Sequence, residues 1–112
     1  MRGDRRLGSD LRGAIRDPEN DVAVSAASIW ELEIKIAAGK LQSDVELLEE
    51  IRRVGYRVLP IAAEHGVAAA RLPPHHRDPF DRMLIAQAQL EGLTVVTSDP
   101  RFERYAVATM PA

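Results

Sequence analysis

Short β-branched runs alternating with helical periods predict an α/β fold, with a mainly parallel sheet and helices on both faces. Three observations carry this expectation. Val22-Ala23-Val24, Tyr56 to Ile61 and Leu93 to Thr97 read as strands. Between them lie segments whose apolar residues recur at helical spacing. Glycines 39, 55 and 92 stand just past three of these segments, where a helix stops.

The 112 residues suit a single domain, 1–112, with one core. The hydrophobic share of 46% is ordinary for a globular protein, which favours a packed interior over a disordered chain. A formal net charge of −2 supplies no overall basic field for nucleic acid. A cluster of metal-binding carboxylates would itself lower that count. The absence of cysteine excludes disulfides and thiolate metal sites, and it fits a reducing, cytoplasmic compartment. No apolar run reaches membrane-spanning length, and the opening MRGDRRLGSD has no apolar signal region. No membrane role is expected.

Taken in order, residues 1–7 form a polar, basic tail. Ser9 can cap a short helix from about Asp10 to Arg16, with Leu11, Ala14 and Ile15 inward. Asp17 to Asn20 is turn chemistry. The strand 22–24 meets Ser25, an N-cap for a helix running to about Ala38, in which Trp30 is expected in the core. Ser43 or Asp44 starts the next helix, with Val45, Leu47, Leu48 and Ile51 buried. Pro60 marks the strand 56–61 as an edge or as ending there. A helix of small residues spans about 63–72, and Pro73-Pro74-His75-His76 is a rigid loop.

Arg77 to Ala88, RDPFDRMLIAQA, organises the chain. Asp78 is an N-cap, Pro79 suits the first helical position and Gly92 ends the helix. Phe80, Met83, Leu84, Ala88 and Leu90 form its buried face, with Asp81 at the margin and Arg82 and Gln89 on the solvated side. The strand 93–97 follows, then a helical turn at Asp99-Pro100 and a last strand over 106–108.

Ligands in such sheets gather at the C-terminal ends of the strands. Glu31 follows strand 22–24, Asp99 follows strand 93–97, and Asp81 begins the helix leading into that strand. The topology thus brings three sequence-distant carboxylates to one edge. Carboxylates without cysteine select a hard cation, Mg²⁺ or Mn²⁺. Each acid also has a plainer reading. Glu31 with Lys35 is an i,i+4 surface pair, and helical periodicity places Glu33, not Glu31, in the apolar arc of Ile29, Ile36 and Ala37. Asp78 and Asp81 make an ordinary acidic first turn, and Asp99 before Pro100 is an N-cap. Thr97 and Ser98 offer hydroxyls. His75, His76, Arg77 and Arg82 form a small basic cluster that can meet a backbone phosphate, and Arg2, Arg5 and Arg6 can meet RNA or form a free tail.

SAASIWELEIKIAAGKL, LPPHHRDPFDRMLIAQA and TVVTSDPRF, in this order and spacing, resemble a PIN-domain ribonuclease, in particular the toxin of VapBC toxin–antitoxin pairs. The likeness runs from Leu7 onward. It implies metal-binding, catalytic roles for Glu31, Asp81 and Asp99, with Thr97 beside the last and Asp78 a secondary candidate. It also implies Mg²⁺- or Mn²⁺-dependent cleavage of RNA, a homodimer, and inhibition by a VapB-like antitoxin whose tail enters the cleft. Such domains open with an apolar strand ending in an aspartate. Asp4 has three residues before it and does not take that role. The expectation is therefore a site short of one charge and a sheet without its first, central strand. A truncated chain or mis-assigned start is the preferred explanation. Three outcomes are open: neighbouring strands close the gap, a partner donates a strand, or a dimer swaps elements. The rival reading is an inactive remnant that only binds antitoxin. A third is a small α/β domain whose acids are caps alone.

Overall fold

The computed structural model describes residues 13–17 and 21–111. The elements are β1 (Ala14–Arg16), β2 (Val22–Ser25), α1 (Ala26–Ala37), α2 (Leu47–Arg53), β3 (Arg57–Leu59), α3 (Ala63–Arg71), α4 (Pro79–Glu91), β4 (Thr94–Val96), a 3₁₀ helix (Pro100–Arg104) and β5 (Thr109–Met110). The sheet order is β3-β2-β1-β4-β5. β2 pairs parallel with β3 and β4 parallel with β5, whereas β1 is antiparallel to both of its neighbours. The sheet is therefore mixed, with four strands running one way around a reversed central one.

That centre corrects one expectation and answers an open one. Residues 14–16 are a strand, not the end of a helix, and this reversed strand fills the middle of the sheet between β2 and β4. The physical reason is backbone pairing. Ile15 lies opposite Ala23 on one side and Val95 on the other, so both ladders are satisfied and the Ile15 side chain is fully buried. Gly13 makes the entry to this strand. Its φ is +88°, its N–H donates to Val96 O, and a Cβ there would stand 2.6 Å from Leu84 Cδ1. The parts of the expected tail and first helix over 1–12 lie outside the described residues.

Alternation along β2 shows how the layers form. Ala23 joins a cluster with Ile15, Val95, Leu84, Ile85 and Phe102, whereas Val24 joins Leu32, Leu47 and Ile51. The first cluster lies under α4 and the second under α1 and α2. Each fully buried aliphatic chain contributes about 1.5–3 kcal/mol over exposure. The helix ends follow their caps. Ser25 Oγ accepts from Ala27 N–H at 3.0 Å, and Gly92 ends α4 at φ +68°.

Several burial expectations fail. Trp30 is 62% exposed, with its ring edge-on to Phe80 at 5.3 Å. Leu90 is exposed too, because α4 turns Leu84, Ile85, Gln87 and Ala88 inward instead. α2 begins at Leu47, not at residue 43 or 44. Ser43 Oγ closes a local turn, donating to Val45 O, and Val45 is exposed. The last strand lies at 109–110, beyond the 106–108 expected.

Candidate metal centre

The start of α4 splits two acidic jobs between two residues. Asp78 is the N-cap, its Oδ1 accepting from Phe80 N–H at 2.8 Å and Asp81 N–H at 3.3 Å. Asp81, on the first turn, is left free of that duty and stands at the positive end of the helix. Its carboxyl is pushed above the ordinary carboxylate range, first by burial and then by the charges of Asp78 and Asp99; His76 partly offsets this.

Asp99 arrives from the end of β4. Thr97 Oγ1 accepts from Asp99 N–H at 3.1 Å and so sets the turn. Asp99 then caps the 3₁₀ helix, with Oδ1 accepting from Arg101 N–H at 2.9 Å. The Arg101 guanidinium grips the same carboxylate, with Nη2 donating to Oδ2 at 2.7 Å and Nε within 3.2 Å of both oxygens. This grip holds the Asp99 carboxyl down at about 2.

Glu31 reaches the same place from α1. One cleft of about 110 Å³ is lined by Gly13, Glu31, Lys35, Asp78, Asp81, Thr97, Asp99, Arg101 and Phe102. The topology explains the meeting. β2 and β4 run in the same direction, so α1 and the Asp99 turn leave the sheet at one edge, and reversed β1 begins there with Gly13. Lys35 Nζ lies 4.0 Å from Glu31 Oε2. Glu33, the residue that helical periodicity singled out, is exposed. The wheel misled because α1 buries Ala27, Ser28 and Leu32 and leaves Ile34 exposed.

His76 is the residue that sequence reasoning underrated, placing it only in a surface basic cluster. It is buried, and its Nε2 stands 2.7 Å from Asp81 Oδ2 and 3.9 Å from Asp99 Oδ2. His76, Asp81 and Asp99 offer ligand atoms within 4.8 Å of one another. The signal available in the sequence was its position two residues before the cap Asp78.

Arg82 is half-buried and turned onto its own backbone surroundings. Its guanidinium donates to the carbonyls of Ala69 and Leu72 at 2.8 Å and to Pro73 and His76 at 3.1 Å, closing the end of α3 and the loop. The Arg82 guanidinium, expected to meet RNA, is thus already engaged by backbone carbonyls. Arg77 is exposed.

A divalent cation fits these residues by their chemistry. Carboxylate oxygens converge with no sulfur donor, and burial has left Asp81 ready to gain from a nearby positive charge. The family model for the PIN domain matches residues 2–108. The chain belongs to the PIN-domain family. PIN domains are typically nucleases that use divalent metal ions and act on RNA. A comparison with curated proteins finds no match. Among the described residues of this PIN domain, no helix is long and apolar enough to cross a membrane.

Proposed function

We propose that this PIN domain is a Mg²⁺- or Mn²⁺-dependent endoribonuclease of the VapC toxin type, with Glu31, Asp81 and Asp99 as its metal-binding, catalytic residues. The observation that carries the reading is their shared cleft, reached from three separate stretches of the chain. When bound, a divalent cation would supply a Lewis acid for the phosphodiester and an acidified water. The chain's own residues do the rest. Asp81 presents a half-buried carboxylate from a rigid helix turn. Thr97 sets the Asp99 turn, and Asp78 keeps the first turn of α4 wound. Lys35 and Arg101 at the wall meet the phosphate charge.

The toxin assignment, the homodimer and a VapB-like antitoxin partner rest on the likeness of the three motifs. The exposed Trp30 and Ile34 on α1 support a protein partner, since they offer apolar surface beside the cleft. The second reading, an inactive remnant that only binds antitoxin, is favoured by one observation. The central strand brings Gly13, not a carboxylate, to the cleft.

Cleavage of a labelled RNA with Mg²⁺ or Mn²⁺, with and without chelator, tests the proposal. Metal-dependent cleavage by the unaltered chain and its loss in Asp81→Asn is the expected result. Cleavage that survives Asp81→Asn, or the chelator, overturns the assignment. Antitoxin binding without any cleavage selects the second reading.

A further inference from the structure

The proposed hydrolysis leaves without a task a buried imidazole that stands behind two of the cleft's carboxylates. The His76 side chain is 3% exposed and faces both aspartates. Its other nitrogen, Nδ1, accepts from the Asp78 N–H at 3.3 Å. A ring nitrogen that accepts carries no proton, so in the neutral ring the proton sits on Nε2, the atom facing Asp81. The same wiring occurs at His65. There Nδ1 accepts from the Ala62 N–H at 2.9 Å and Nε2 meets Glu91 Oε2 at 3.0 Å. Glu91 is a half-exposed surface carboxylate, whereas Asp81 shares a cleft with Asp99 and Glu31.

The ring is held from several sides. The His76 N–H donates to Tyr105 Oη at 2.9 Å, and that hydroxyl donates to Pro73 O at 2.6 Å. Arg82 holds His76 O, and the ring stands edge-on to Phe102 at 6.0 Å. No acceptor lies on the axis of Nε2–H, because Asp81 Oδ2 sits beside it. The two atoms are already at hydrogen-bond distance, 2.7 Å, so only the orientation of the Asp81 carboxylate separates this contact from a hydrogen bond.

We infer that His76 is a positioning residue: its Nε2–H holds Asp81 Oδ2 and thereby turns the other oxygen of Asp81 toward a divalent cation. This rests on the metal reading above. Direct ligation by His76 would need a bare Nε2 and a proton on Nδ1, which would then oppose the Asp78 N–H.

Two measurements on the unaltered protein test this without any turnover. Long-range ¹H–¹⁵N correlation should show His76 protonated at Nε2 and bare at Nδ1 before metal is added. With Mn²⁺ bound, electron spin-echo spectra should show no directly bound imidazole nitrogen. Mn²⁺ titration of variants then separates the roles. His76→Leu should weaken binding about 10- to 100-fold, and His76→Gln, which restores an N–H, should stay within a few-fold of the parent. A bare Nε2, a directly bound nitrogen, or unchanged Mn²⁺ affinity in a folded His76→Leu overturns the inference. If the leucine variant does not fold, the two measurements on the parent decide. Failure of the parent to bind Mn²⁺ at all overturns the metal reading and this inference together, whereas a wrong tautomer overturns this inference alone.

Discussion

Two aspartate–proline pairs start helices at the cleft, and they are used in opposite ways. At α4, Asp78 caps and Asp81 does not, so one carboxylate is satisfied by backbone N–H groups and the next, half-buried beside His76, is raised toward its neutral form. At the 3₁₀ helix, Asp99 caps and is also gripped by Arg101, so a single carboxylate serves twice and is held as the anion. The contrast separates two kinds of metal-binding acid. Asp81 gains a counter-charge when a cation arrives, whereas Asp99 has one already and must share it.

The largest break of this contrast is the loss of each carboxylate. Asp81→Asn should lower Mn²⁺ affinity by at least about 100-fold, and Asp99→Asn by less, because Arg101 already offsets part of that charge. Calorimetric titration of the two variants checks the order; a larger loss at Asp99 reverses it.

The pH dependence comes next. A protonated Asp81 cannot hold the cation. Affinity should therefore fall as pH drops through the raised Asp81 value, by about tenfold per unit once below it, while Asp99 stays ionised down to about 2. The stability signs are opposite. Asp99, depressed by folding, adds stability above its unfolded value that is lost as pH falls toward about 2. Asp81, raised by folding, lowers metal-free stability as pH climbs from its unfolded value through the folded one, and bound Mn²⁺ should remove that loss. Melting curves against pH, with and without Mn²⁺, read both slopes.

Smaller again is Asp78→Ala. Losing the cap should cost about 1 kcal/mol, roughly 4–8 °C in Tm, by thermal melt. The smallest effect belongs to Arg101→Ala. Freeing Asp99 from an exposed ion pair should tighten Mn²⁺ by no more than about 5-fold, and weaker binding would show instead that Arg101 assists the site.

Much of this arrangement was legible in the residues. Ser25, Asp78 and Gly92 announced their helix ends because caps are local chemistry. The shared edge of Glu31, Asp81 and Asp99 followed from strand–helix alternation. Alanine-isoleucine-arginine at 14–16 was not legible as a strand, since three residues show no period and their pairing partners lie far along the chain. Glu31 could be taken from the resemblance but not from the wheel, because α1 leaves Ile34 and Trp30 outside. His76 was missed as a partner of the acids because it is packed against Tyr105 and Phe102, both far along the chain.

The reversed strand at the middle of the sheet sets the order of assembly. Ile15 needs both Ala23 and Val95 beside it, so the centre of the molecule closes only when residues near opposite ends of the described chain have met. A ribosome releasing this protein would have to deliver β4 before β1 could be sandwiched. The Val24 layer under α1 and α2 draws its buried residues from 24–51 alone, whereas the cleft takes its walls from both halves and needs both in place.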